Sequence, residues 1–125
     1  HYAFQVYINN GTMDLMWQQR SADVFLGLPY DITMYGLLLE LLVKDTKLKA
    51  GQLIGQLGDC HLYNNHLQQA EVYLGRSKRA LPKIQLERGV NANVLGGVNI
   101  PHPSDIKLIN YNPYPAIKAE LSVGK

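Results

Sequence analysis

Apolar and polar positions change period several times along the chain, and each change marks an element. Residues 2–8 are rich in aromatic and β-branched side chains, Asn9-Asn10-Gly11 is a turn signal, and Met13 to Gln19 resumes a strand pattern, which predicts a hairpin. Between Ser21 and Asp45 the period lengthens to that of a helix, with Pro29 near its start and Ile32, Tyr35, Leu38, Leu39 and Leu42 at helical spacing. Leu37 and Leu41 widen the apolar surface almost all round, which predicts a central helix. After Lys49-Ala50-Gly51, the segment Gln52 to Leu57 reads as a strand running into Gly58-Asp59-Cys60-His61-Leu62-Tyr63. A second helix is expected from Asn65 to Leu74, a short strand from Lys83 to Glu87 after Pro82, and a last long strand from Ile106 to Asn110. Residues 89–105, rich in Asn, Gly and Pro, read as a loop, and Pro113 and Pro115 keep the following segment irregular. Strands and helices intermix without regular βαβ alternation, so the fold class expected is α+β, in one domain or part of one.

Composition supports a globular chain and excludes some partners. The 125 residues are 46% hydrophobic and 18% charged, enough to bury a core. Twelve Lys and Arg against ten Asp and Glu leave a formal charge of +2, and the basic residues are scattered apart from Arg76, Lys78 and Arg79. No nucleic-acid-binding stripe results, so an RNA-binding role is unsupported. Cys60 is the single thiol, which excludes an intrachain disulfide and fits a reducing, cytoplasmic setting. The apolar stretch Gly36 to Val43 is interrupted by Glu40 and too short to span a bilayer, so no membrane partner is expected. His1 opens directly onto a strand, which reads as a cut inside a longer protein.

Two segments carry candidate chemistry. In Gln19-Arg20-Ser21-Ala22-Asp23 the strand period gives way to the helical one. The Arg20 guanidinium, the Ser21 hydroxyl and the free N–H groups of a helix start could therefore converge on a phosphate. The plainer alternative is an Arg paired with a carboxylate and a Ser capping the helix. In the second segment, strand alternation sets Asp59, His61 and Tyr63 on one face, a polar row suited to a sugar hydroxyl. Cys60 then points away, and an apolar, inert thiol is favoured over a nucleophile because no Lys or His is placed in sequence to activate it. His61 and His66 lack the spacing of a zinc pair, so no metal is expected. Tyr111-Asn112-Pro113-Tyr114-Pro115 reads as a packing arm. The residues alone point to a phosphosugar site.

The same segments closely resemble the thymidylate synthase family. Gln19 to Pro29 carries the run Gln-Arg-Ser-x-Asp-x-Phe-Leu-Gly-Leu-Pro, and Gly58-Asp59-x-His61-x-Tyr63-x-Asn65-His66 comes after it at the family's distance. Pro82-Lys83 and Tyr111-Asn112-Pro113-Tyr114-Pro115-x-Ile117-Lys118 complete the order, and residues 89–105 match least. The resemblance implies a mixed sheet with packed helices and an obligate homodimer. It implies a pyrimidine deoxynucleoside monophosphate as substrate and 5,10-methylenetetrahydrofolate as co-substrate, without a metal. His1, Tyr2, Ala3, Phe4 and Gln5 match the residues just after the family's nucleophilic cysteine, so that cysteine would precede His1, and His1 joins the catalytic group. Gln19, Arg20 and Ser21 would hold the nucleotide, the last two at its 5′-phosphate, with His61 and Tyr63 at the 3′-hydroxyl. Asp23 would contact the folate ring, Gly27 would lie where backbone approaches folate and base, and Val123 would close over the co-substrate. Gly124 and Lys125 run past the family's usual end.

The resemblance further implies that a thiolate adds to C6 of the pyrimidine, after which C5 captures the folate's methylene group. Asp31 departs from the Asn that thymidylate synthases carry. An Asn amide donates to uracil O4 and accepts from N3–H, whereas a carboxylate can accept from the 4-amino group of cytosine and share a proton with N3. Phage deoxycytidylate hydroxymethylases of this family carry Asp here, so the expectation leans towards dCMP hydroxymethylation, in a host cytoplasm if phage-encoded. Thymidylate synthase and dUMP hydroxymethylase are the alternatives, since a protonated Asp31 would imitate Asn, and the rival from another class is a nucleotide-binding protein that has lost the nucleophile.

Overall fold

Asn10 and Gly11 take φ of 48° and 76° and close the turn between strands β1 (Ala3–Asn9) and β2 (Thr12–Asp23). Asn-Gly suits such a hairpin turn because both positions need the left-handed region. The structure, a computed structural model, describes residues 1–87 and 101–122. Most of the loop expected over residues 89–105 lies outside the described residues, as does Val123.

Along β2, Met13, Leu15, Trp17 and Gln19 are all buried, the period-two signature of a strand with one covered face. Helix α1 (Leu28–Thr46) supplies the cover. Its Tyr35, Leu39, Leu42 and Val43 form one core with Met13, Leu15 and Trp17, and Leu53 and Leu57 of strand β3 (Lys49–His61) pack against it. Pro29 fits the first turn because no helical N–H is needed there, and Lys47, left-handed at φ 59°, ends the helix. The all-round apolar surface expected of a central helix is covered in its second half, where Leu41 is buried with Leu39, Leu42 and Val43, but not near its start, where Ile32 and Met34 are 46% and 50% exposed. One side of the helix faces the sheet and nothing described covers its other side near the start.

β2 pairs antiparallel with β1 and parallel with β3, giving a mixed sheet in the order β1-β2-β3. The parallel register sets Trp17 opposite Gly55, and a Cβ at Gly55 would lie 2.5 Å from the indole Cζ2. Only glycine leaves that ring room. A 3₁₀ turn at Asn64–His66 leads into helix α2 (Leu67–Leu74), where a single helix from Asn65 was expected. Strands β4 (Lys83–Leu86) and β5 (Ile106–Ile109) form a separate antiparallel pair. β5 is therefore short, not the last long strand expected, and Asn110 at φ 59° turns the chain away.

Residues 111–122 have no ladder of their own and are held by side chains of the α2 region. Arg79 Nη1 donates to Asn112 O at 2.7 Å and Pro113 O at 2.9 Å, with its guanidinium 3.7 Å over the Tyr114 ring. Arg76 donates to Pro115 O, and buried His66 donates through Nε2 to Glu120 O at 2.7 Å. Arg76 and Arg79 of the basic cluster noted in the sequence thus clamp the packing arm. Among the described residues no helix is long and apolar enough to cross a membrane.

Candidate active site

The β2–β3 ladder continues through Ser21 opposite Asp59 and Asp23 opposite His61, so strand geometry persists beyond the apolar alternation. Arg20 and Ser21 are strand residues, and α1 starts only at Leu28. This corrects the helix start expected beside them: pairing with a neighbouring strand overrides the local change of period. Ser21 does not cap the helix, whose N-cap is Gly27. Among the described residues the Arg20 guanidinium meets no carboxylate, so the ion-pair alternative is not formed either.

The ladder nevertheless brings the two segments together. Arg20, Ser21, Asp59, His61 and Tyr63 line one shallow depression with Leu62 and Asn64. His61 Nδ1 lies 3.2 Å from the backbone oxygen of Asp59 and 3.5 Å from its Oδ1, and the ring meets Tyr63 edge-on at 4.9 Å. A carbonyl can only accept, so Nδ1 carries the proton of the neutral ring and Nε2 is left as an acceptor. A cation and two hydroxyls suit an anion, while the imidazole acceptor and the Asp59 carboxylate on the same open surface suit a hydroxylated ring joined to it. Cys60 is exposed on β3, not in the apolar surroundings expected.

Between β2 and α1, Asp23 Oδ1 accepts from the backbone N–H groups of Phe25 at 3.0 Å and Leu26 at 3.3 Å. Gly27 N–H returns to Asp23 O at 3.1 Å, and a Cβ on Gly27 would stand 3.2 Å from that oxygen. Asp23 and Gly27 therefore belong to one tight turn.

A second cluster joins that turn's helix to the start of the chain. Asp31, with a side chain 16% exposed, faces His1 Nε2 at 3.1 Å through Oδ1 and accepts from Gln19 Nε2 at 2.8 Å through Oδ2. His1 Nδ1 lies 3.2 Å from the Tyr35 hydroxyl, and Tyr35 stacks on Trp17 with ring centres 5.1 Å apart. Trp17 Nε1 donates to Gln19 Oε1 at 3.1 Å, closing a circuit of five side chains. Trp17 and Tyr35 were not singled out in the sequence for chemistry. The signal was present: Trp17 and Gln19 share a strand face, and Tyr35 lies one helical turn after Asp31.

The thymidylate synthase family model matches residues 1–123 of this chain. The thymidylate synthases of Coxiella burnetii strains Dugway 5J108-111 and RSA 493 / Nine Mile phase I are each 42% identical to it over 123 residues. Each match covers 98% of this chain and 45% of the relative, so the chain spans about half the length of these curated proteins. The ordered motifs, the mixed sheet that brings the first two together and a match over nearly every residue agree: the chain belongs to the thymidylate synthase family.

Proposed function

We infer that the full-length protein transfers a one-carbon unit from 5,10-methylenetetrahydrofolate to C5 of a pyrimidine deoxynucleoside monophosphate. The relatives support methylation of dUMP, the thymidylate synthase reaction, better than the hydroxymethylation towards which Asp31 leans. The observation that carries the reading is the convergence of Arg20, Ser21, His61 and Tyr63 on one depression.

Each residue then has a role. Arg20 and Ser21 neutralise and hydrogen-bond the 5′-phosphate, and His61 and Tyr63 take the 3′-hydroxyl, anchoring the base so that its C6 meets a nucleophile. That nucleophile is a cysteine preceding His1, with His1 beside the base. Asp31 reads the pyrimidine edge. Asp23, Gly27 and Val123 serve the folate, which supplies the methylene group. The homodimer and the cytoplasmic setting belong to the same proposal.

One observation favours dCMP hydroxymethylation as a second reading. Asp31 Oδ2 accepts from the Gln19 amide and Oδ1 faces His1 Nε2 at 3.1 Å, so neither oxygen needs a proton of its own where His1 is the donor. An ionised carboxylate offers only acceptors, so it meets the 4-amino group of cytosine well and uracil O4 poorly, a mismatch of about 1–3 kcal/mol. The test supplies the full-length protein with methylenetetrahydrofolate and either dUMP or dCMP and weighs the products. A methylated dUMP is the expected result; hydroxymethylated dCMP would install the second reading, and no product from either would defeat both.

A further inference from the structure

Gln19 is only 6% exposed, and the hydrogen-bonding capacity of its amide nitrogen is engaged inside the protein. Oε1 receives the indole N–H of Trp17 at 3.1 Å, while Nε2 donates to Ser21 O at 2.9 Å and to Asp31 Oδ2 at 2.8 Å. Indole is a donor only and a backbone carbonyl an acceptor only, so the amide has one permitted orientation. Turned over, it would set two donors together at Trp17 and two acceptors together at both Ser21 and Asp31. Neither N–H of the amide remains for a nucleotide.

We propose that Gln19 is a positioning residue, locked by Trp17 and the Ser21 carbonyl, which sets the hydrogen-bond sense of residue 31 and through it the tautomer of His1. A donor at Gln19 Nε2 requires an acceptor on residue 31. Asp31 meets that with Oδ2 and turns Oδ1, also an acceptor, to His1 Nε2. The neutral imidazole therefore carries its proton on Nε2, and Nδ1 receives the Tyr35 hydroxyl. An asparagine at this position could satisfy Gln19 only with its oxygen, which would turn its NH₂ group to His1. His1 would then accept on Nε2 and move its proton to Nδ1, reversing the bond to Tyr35. Residue 31 thus determines at once which edge meets the base and which nitrogen of His1 holds the proton.

The proposal rests on the functional reading only where it places a base against Asp31; the tautomer is a property of the protein without substrate. The experiment records imidazole ¹⁵N resonances of the full-length protein at a pH where the ring is neutral, with His1 assigned by loss of its signal in His1→Gln. The unmodified protein should show His1 protonated on Nε2, and Asp31→Asn should exchange the two nitrogen shifts. Adding Gln19→Glu to Asp31→Asn swaps donor and acceptor between the two positions and should restore the Nε2 proton. If that pair does not fold, Gln19→Met with Asp31→Asn removes the orienting donor and should lower the Nδ1-protonated fraction. An unchanged tautomer in Asp31→Asn would overturn the proposal, as would an exchange that persists whatever stands at position 19. Either result leaves the choice between dUMP and dCMP to product analysis, and failure of that choice leaves the tautomer assignment standing.

Discussion

Arg20 is an exposed cation that shares its depression with a hydroxyl, an imidazole and the Asp59 carboxylate, and no ion pair to it is formed among the described residues. If it holds the nucleotide's phosphate, Arg20→Ala removes a charge-assisted bond of about 1.5–3 kcal/mol, which corresponds to a loss of nucleotide affinity of roughly ten- to a hundredfold. Titration of the full-length protein with dUMP measures this directly, and an unchanged dissociation constant would remove Arg20 from the site. Asp31→Asn has a separate outcome: the ratio of kcat/KM for dUMP over dCMP should rise by about tenfold or more. Sequence spacing was enough to single out Arg20, Ser21, His61 and Tyr63 as candidates, because each carries distinctive chemistry, and the structure brings the four onto one depression. It did not reveal the partners of His1, since a buried Trp and Tyr read as core residues until their polar atoms have positions.

Elements track period where neighbours impose nothing further. The hairpin at Asn10-Gly11 and the body of α1 were legible for that reason. The far end of β2 was not: Arg20 to Asp23 stay extended because β3 offers a parallel ladder, a long-range partner invisible to a local pattern. Leu15 lies at the middle of this strand and is 0% exposed, so Leu15→Ala should cost about 2–5 kcal/mol in denaturant unfolding of the full-length protein. A cost well below 1 kcal/mol would mean the core closes elsewhere. The terminal arm obeys another rule, being placed by donors on the α2 side that reach its carbonyls. Arg79→Ala should therefore speed amide exchange across residues 111–116 while leaving β2 protected. Equal loss of protection in both would show that the clamp and the core open together.

At the scale of the whole molecule, the described residues leave the three-stranded sheet covered on one part and open on the rest. α1 packs over β2 and β3, whereas all seven residues of β1 are exposed and Gln5, Tyr7, Asp14, Met16 and Ile54 border an open hollow. The proposed homodimer would cover such a face. Tyr7→Asp should accordingly lower the sedimentation coefficient of the full-length protein towards that of a monomer. A dimer of undiminished strength would locate the interface elsewhere. Alternation predicted two-faced strands, but the strand order and the parallel register depend on contacts far apart in sequence, and no local period encodes them.

The close fit between Trp17 and Gly55 also limits the order in which this chain can change. A side chain at 55 has no room while the indole is present, so the larger residue must go first. Once an alanine or valine has entered the vacated space, the tryptophan cannot return unless 55 reverts as well. The two sites would then be inherited as a pair, and a history that passed through a smaller residue at 17 would run in one direction, taking with it the donor that orients Gln19.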